Sequence, residues 1–223
     1  MRRPPGPGGR RQPQPARRAP APALDRRPRP AQIPAMTQTP TEFLERRRSH
    51  PPKTLTAPAP DREELTRLMT TALRVPDHGA LEPWRLVVIG PETRAALADT
   101  VRAVARLRGM SAGDAEKAAF PYETSPLIVA VIESPAETGK FPPIEQTYSA
   151  GAACAALVNA ALAAGWGAGW VTGWASHDFE LMQGAIGLKE GERVVGMVHI
   201  GTASTTPPER PRPDIGAKVD WRE

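Results

Sequence analysis

The feature that most constrains the fold is a run of small residues between Glu145 and Ala164. Its spacing predicts one long α-helix on which alanine and glycine occupy nearly every face. A helix that is apolar all round has to be buried on all sides, and a chain of 223 residues has little else with which to surround it. A second copy of the chain could supply the missing cover, so we expect an intimate homodimer.

Helices and short apolar strands alternate along the rest of the chain, with too few crossovers between parallel strands to require a doubly wound sheet. Val- and Ile-rich runs flanked by Gly or Pro predict strands at residues 84–90, 126–134, 167–174 and 193–203. Apolar residues at helical spacing predict helices at residues 40–48, 61–74, 91–107, 145–164 and 178–186. Residues 49–60 are expected to form an extended loop, and residues 108–125 a loop around a short helix.

Residues 1–35 differ in composition from the rest of the chain. They contain ten Pro and nine Arg, against one Asp and no Lys, Phe, Tyr or Trp. Such a segment buries too little apolar surface to offset its ordering entropy. We therefore expect a disordered tail at residues 1–36 and one folded domain at residues 37–223. A start codon assigned too far upstream of Met36 would also produce this pattern.

The basic balance of the chain comes from that tail. The tail carries a net charge of +8 and residues 36–223 carry −3, which gives +5 for the whole chain. A tail that binds nucleic acid or an acidic membrane surface is one alternative that these charges leave open. The arginines are not followed by the apolar segment of a signal peptide, and the most apolar run, residues 150–164, is shorter than a membrane span. A cytoplasmic location is expected.

Several common site motifs do not fit the sequence. Cys154 is the single cysteine, which excludes an internal disulfide, and the four histidines lack metal-ligand spacing, so we predict no metal. Gly167, Gly169 and Gly173 suggest a dinucleotide fingerprint, but that motif follows a strand and opens a helix, whereas here a helix comes first. We interpret these glycines as positions where the backbone approaches a flat group or a neighbouring helix.

Two polar segments have both a plain and a functional interpretation. Residues 46–50, RRRSH, are either a solvated basic surface or a phosphate site, because guanidinium forks and a hydroxyl are common partners of a phosphate. Residues 73–90, LRVPDHGALEPWRLVVIG, place Arg74, Asp77, His78 and Trp84 between a helix and a buried strand. Asp77 or His78 could cap the helix or the turn, but a plain connector needs only a Gly or a Pro.

The order of these segments is more specific than any one of them. RRRS, then ALRVPDHGALEPWRLVVI, then EQTYSAGAACAALVNAALAAGWGAGWVTG and finally VVGMVHIGTAS resemble the FMN-dependent nitroreductase family, above all its small bacterial members, over residues 41–201. The resemblance implies an α+β fold with a central, mostly antiparallel sheet flanked by helices in an intertwined homodimer. It also implies that FMN is the cofactor.

The resemblance assigns roles to particular residues. It implies that residues 47–49 hold the FMN phosphate and ring edge, that Arg74 and His78 reach the FMN of the partner subunit, and that residues 170–172 lie along the flavin ring. Arg210 and Arg212 are similar to a basic pair that other members use on the phosphate. The cofactor-binding residues are thus predicted to be Arg47, Arg48, Ser49, Lys53, Arg74, His78, Trp170, Val171, Thr172 and Arg212. The predicted NAD(P)H-binding residues are Ala160, Ala161, Leu162, Ala163, Ala164 and Gly165.

The implied function is hydride transfer from NAD(P)H through flavin N5 to a nitroaromatic, a quinone or a similar electrophile, in a ping-pong cycle. FMN performs this chemistry itself and protons can come from water, so no catalytic side chain is predicted. One departure keeps open a non-catalytic or flavin-handling protein on the same fold. Val171 stands where the small members carry Arg, which removes a side-chain donor near the cofactor.

Overall fold

The computed structural model describes residues 39–223. The predictions for residues 1–36 lie outside this range. The helices are α1 (Pro40–Arg46), α2 (Arg62–Ala72), α3 (Pro91–Leu107), α4 (Ala112–Thr124), α5 (Pro143–Ala163) and α6 (Phe179–Ile186). The strands are β1 (Leu55–Thr56), β2 (Trp84–Ile89), β3 (Leu127–Glu133), β4 (Gly167–Val171) and β5 (Arg193–Ala203). Two short 3-10 turns span Pro52–Thr54 and Trp174–His177.

β5 organises a sheet in which every pairing is antiparallel. One edge of β5 pairs with β3, which in turn pairs with β2. The other edge pairs with β4, between Met197 and Gly201. β1 pairs with the end of β5, at Thr202 and Ala203. Helices pack against this sheet, so the predicted α+β fold with a mostly antiparallel sheet flanked by helices is confirmed.

The sheet has an apolar core on each face because side chains alternate along its strands. On β3, Ile128 and Ile132 join the core that α3, α4 and α6 cover, whereas Val129 and Val131 join the core that α2 and α5 cover. A strand that is buried on both faces reads as an unbroken apolar run. That is why residues 127–132 were recognisable as a strand from the sequence alone.

Two buried groups that could suggest chemistry, His199 and Cys154, are explained by packing. His199 on β5 contacts the Ser125 hydroxyl through Nδ1 at 2.7 Å and is 1% exposed. Burial, with a smaller effect of the positive Arg94, lowers the pKa of His199 to about 3, so the ring is neutral near pH 7. Burial also raises the pKa of the Cys154 thiol, which fits its predicted role as a packing residue.

Two of the predicted loops contain more regular structure than expected. The short helix expected within residues 108–125 is present but longer, with 13 residues at 112–124; it begins at the Ser111 cap and buries Ala115, Ala119 and Tyr122. Pro121 and a weakly amphipathic alanine pattern made its extent hard to predict. The loop at residues 49–60 contains β1, a strand of two residues whose partner lies far along the chain on β5. A strand this short has too little sequence pattern to be recognised without its partner.

α5 is covered on only one side by the described chain. Gln146, Ala153 and Leu157 are buried beneath it, but Ile144 is 50% exposed and Tyr148 is 67% exposed on the opposite face. Within one chain, therefore, one face of this helix is buried as expected and the opposite face is exposed. No helix in residues 39–223 is long and apolar enough to cross a membrane.

Candidate functional site

The basic segment after α1 is docked against the outer edge of β4. α1 begins with a capping box, in which Thr39 and Glu42 satisfy each other's backbone N–H groups, and ends at Arg46. The chain then becomes extended, and the His50 N–H donates to the Ala168 carbonyl at 2.8 Å. Gly169 permits this approach, because a Cβ at that position would overlap the His50 carbonyl oxygen. The contact fixes residues 47–49 beside β4.

Arginines from the two ends of the described chain meet in one cavity of about 420 Å³, which we call the basic cavity. Its walls are Arg47, Arg48, Ser49, Arg210, Pro211, Arg212 and Pro213. The C-terminal arm is held there by two hydrogen bonds, from Arg48 to the Pro208 carbonyl and from Arg212 to the Glu45 carbonyl. The basic cavity thus unites the two predicted phosphate-binding groups, which lie about 160 residues apart in sequence.

The donors of the basic cavity fit a phosphate. Four guanidinium groups and one hydroxyl line it, and its walls contain no acidic residue. Arg47 Nε is buried and has no hydrogen-bond partner among residues 39–223. A buried donor without an acceptor is costly, and an anionic oxygen in the cavity would satisfy it. The residues present are therefore compatible with the phosphate end of FMN.

The end of β4 offers a flat surface and free backbone groups next to this segment. Trp170 lies across Gly196 of β5, where a Cβ would overlap the indole, and the indole is 40% exposed. In an antiparallel ladder the N–H and C=O groups of alternate residues point to the same edge. The Trp170 backbone therefore faces the outer edge, as that of Ala168 does. This arrangement suits the predicted backbone contact along a flavin ring at Trp170, whereas the same alternation turns the Val171 backbone toward β5.

The turn after α2 is braced against the N-terminal end of α5. His78 Nδ1 lies 2.6 Å from Glu145 Oε2, and its ring lies 4.2 Å from the Phe141 ring centroid to centroid. Trp84 Nε1 donates to the Ser149 hydroxyl at 3.1 Å. Gly79 has φ +85°, and a Cβ there would overlap the Phe141 ring. The contacts of His78 and Trp84 therefore fix the conformation of this turn, which explains why it contains more than a Gly or a Pro.

Within one chain, the predicted site residues fall into two groups. The first group contains residues 47–49, Arg210, Arg212 and the end of β4, with the predicted NAD(P)H segment, residues 160–165, leading directly into β4. The second group, Arg74 and His78, does not line the basic cavity in the described part of the chain. His78 contacts α5 at Glu145, which is about 22 Å along the helix axis from Ala160 at a rise of about 1.5 Å per residue. Lys53 is exposed in the 3-10 turn beyond His50 and does not line the cavity either.

Three residues of this region were not singled out from the sequence. Gly196 is a glycine inside a buried strand, a pattern that indicates close approach by another group, here the Trp170 indole. Glu145 pairs with His78, but nothing in the sequence connects positions that are 67 residues apart. Glu209 lies between Arg48 and Arg212, and its place in the run ERPR could have drawn attention to it.

Known proteins resemble this chain over most of its described length. The model of the nitroreductase family matches residues 44–202. YdjA of Escherichia coli (strain K12), which is named as an NAD(P)H nitroreductase, is 34% identical over 166 residues, covering 72% of this chain and 86% of YdjA. A Haemophilus influenzae protein of the same designation is 34% identical over 161 residues, with the same coverage.

Solved structures show the same fold. A nitroreductase-like family protein from Bacillus cereus superposes with a TM-score of 0.70 at 24% identity, covering 84% of this chain and 98% of that one. The FMN- and NADPH-dependent nitroreductase NfnB from sphigopyxis sp. strain HMH superposes with a TM-score of 0.64 at 22% identity, covering 83% and 100%. Because the family model spans most of the folded region and the sequence relatives exceed 30% identity, this chain belongs to the nitroreductase family and is an oxidoreductase of that family.

Proposed function

We propose that this chain is an FMN-dependent oxidoreductase that transfers a hydride from NAD(P)H to a nitroaromatic, a quinone or a similar electrophile in a ping-pong cycle. The observation that carries the proposal is the basic cavity, with its four arginines and buried Arg47 Nε, docked beside the exposed end of β4. The names of the relatives support NAD(P)H as the donor, and the name of NfnB supports FMN.

Each part of the site has a role in this proposal. Arg47, Arg48, Ser49 and Arg212 hold the phosphate, because guanidinium forks and a hydroxyl match its oxygens. The outward-facing backbone of Trp170 orients the flavin ring, and the small side chains at residues 160–165 leave room for a nicotinamide. FMN, when bound, supplies the hydride and electron transfer. The side chains are needed to bind and orient the reactants, and no side chain is assigned a proton transfer.

The visible spectrum of the purified chain tests this function. We expect flavin absorbance, either as purified or after adding FMN, that bleaches when anaerobic NADH or NADPH is added. The donor that bleaches it faster is the preferred one. Air or a quinone should then restore the colour, because in a ping-pong cycle the oxidant reacts only after the first product has left.

Two outcomes would contradict the proposal in different ways. Bound flavin that neither nicotinamide reduces would favour the flavin-handling alternative, which the apolar Val171 suggests. A chain that binds no flavin, even with excess FMN, would show that the basic cavity is not an FMN site. In that case salt-dependent nucleic-acid binding that is lost on deleting residues 1–35 would point to the basic tail.

We also propose that the chain works as a homodimer through the exposed face of α5. Ile144, Tyr148 and Ala155 form an unpaired, largely apolar stripe along this face, and each is exposed in the described chain. A second copy would bury the stripe in an isologous contact. Antiparallel packing of the two α5 helices would also bring His78 of one copy toward the end of α5 near β4 in the other, which a single chain cannot do.

Light scattering of Ala155→Glu tests the dimer. We expect the wild-type chain to have twice the 24.0 kDa of the monomer. A carboxylate in the middle of a buried apolar stripe is strongly unfavourable, so Ala155→Glu should be monomeric and should bind FMN more weakly. Ala103→Glu, an equivalent change at an exposed position on α3, should remain dimeric. A wild-type monomer, or a fully dimeric Ala155→Glu, would contradict this interface.

A further inference from the structure

One carboxylate, that of Glu209, lies beside two arginines of the basic cavity, although it does not line the cavity itself. Glu209 Oε1 is 3.8 Å from Arg48 Nη1 and 3.7 Å from Arg212 Nη2, and it accepts the Arg210 backbone N–H at 2.9 Å. We propose that Glu209 is an internal counter-ion of the cavity, which competes with the phosphate of FMN for these arginines and is displaced when FMN binds. This inference rests on the proposed function and identifies Glu209 as a residue that sets the affinity and selectivity of the site.

The geometry of Glu209 indicates that a ligand could displace its carboxylate from Arg48 and Arg212 at little cost. Both ion pairs are longer than a hydrogen bond, and the Glu209 side chain is 69% exposed. Exposed pairs of this kind hold their partners weakly, because water screens the charges and competes for the donors. Its one direct hydrogen bond within residues 39–223 is to the backbone of the next residue, so it can move into solvent without breaking a hydrogen bond between elements.

The arginines, in contrast, are held in place without Glu209. Arg48 is only 21% exposed and donates to the Pro208 carbonyl, and Arg212 donates to the Glu45 carbonyl. These bonds join α1 and its following segment to the C-terminal arm. Each guanidinium has five N–H groups, so several remain for a ligand after this contact. In this site, therefore, the guanidinium groups of Arg48 and Arg212 are held in place, whereas the Glu209 carboxylate is free to move.

The charges predict which ligands can displace Glu209. A phosphate monoester carries a charge of about −1.5 to −2 and three acceptor oxygens, whereas a carboxylate carries −1 and two oxygens. The phosphate of FMN is therefore the stronger partner for Arg48 and Arg212. Riboflavin has no phosphate and leaves Glu209 in place. Glu209 thus lowers the affinity for FMN while leaving that for riboflavin unaffected, and it disfavours small singly charged anions in the empty cavity.

Flavin fluorescence titrations of Glu209→Gln test the inference. We expect the Kd for FMN to fall by about two- to fivefold, as removal of one weak, exposed competitor allows, and the Kd for riboflavin to stay unchanged. Glu209→Ala should behave in the same way. Asp220→Asn removes the same charge from the same arm at a residue that pairs with Arg222 rather than with Arg48 or Arg212, and it should change neither Kd.

The direction of the change decides between two roles for Glu209. A carboxylate that positions Arg48 and Arg212 for the phosphate would give variants with unchanged or weaker FMN binding, and this result would overturn the inference. An equal gain for FMN and riboflavin would also overturn it, because the effect would not act through the phosphate. If the wild-type chain binds FMN but the Glu209 variants have an unchanged Kd for FMN, the inference about Glu209 fails and the proposed function stands. If the wild-type chain binds no FMN, both proposals fail.

Discussion

Replacing Arg48 with alanine should weaken FMN binding by about 10- to 100-fold, because charge-assisted hydrogen bonds to a phosphate contribute about 1.5–3 kcal/mol. Arg48 contacts both sides of the basic cavity. It follows α1 in sequence, and its guanidinium donates to the Pro208 carbonyl on the C-terminal arm. The variant loses both a phosphate donor and a contact that keeps the arm in place. Equilibrium dialysis or flavin fluorescence measures the change.

Arg46→Ala is the matched control for this prediction. Arg46 belongs to the same basic run, but it lies in the last turn of α1, is exposed and does not line the basic cavity. Its removal should leave the Kd for FMN within about twofold, as expected for a screened charge outside the site. Arg48→Lys keeps the charge but loses the planar fork, so an intermediate Kd is expected. Equal losses in Arg46→Ala and Arg48→Ala would mean that only the net charge of the segment matters.

Replacing Gly169 with alanine should both destabilise the fold and weaken FMN binding. The new Cβ would overlap the His50 carbonyl oxygen, and the close neighbours at that point are backbone atoms, which cannot rotate away as a flexible side chain can. Overpacking of this kind costs about 1–3 kcal/mol in the free energy of unfolding. The docking bond from His50 to Ala168 should also be strained, so residues 47–49 would move away from β4. Urea unfolding and an FMN titration measure the two effects.

Gly173→Ala is the control for Gly169→Ala. It shows whether any loss of stability comes from the contact between Gly169 and His50 or from replacing a glycine as such. Gly173 follows β4 with φ −167°, an extended conformation that any residue adopts, and a Cβ there meets no heavy atom within 4 Å. The variant should therefore unfold at nearly the wild-type urea concentration. If Gly169→Ala keeps wild-type stability and FMN affinity, the contact between the basic segment and β4 does not position the site.

Some helices and strands could be predicted accurately from the sequence and others could not, for a physical reason. β3 and α2 have strong local patterns, because β3 is an unbroken apolar run and α2 repeats its buried apolar residues at helical spacing. α4 and β1 lack such patterns. α4 contains a proline and small residues, and β1 is two residues long and depends on β5 for its hydrogen bonds. Elements that are stabilised mainly by distant partners carry little local signal.

The candidate site shows the same division. The order of its motifs identified the family, and the residue types of the basic segment indicated a candidate phosphate site, because arginine forks and a hydroxyl have a chemistry that can be recognised without coordinates. The sequence did not indicate Glu209 between Arg48 and Arg212, or the pairing of His78 with Glu145. Each of these contacts depends on the path of the chain between its partners.

The sequence by itself determined the small-residue helix, the main apolar strands, the basic segment and membership in a family of oxidoreductases. Only the tertiary structure decided that residues 47–49 dock on β4 and meet Arg210 and Arg212 from the opposite end of the described chain. It also decided that one side of α5 stays uncovered. Periodicity and residue chemistry are local properties of a sequence, whereas a cavity is made by chain segments that only folding brings together.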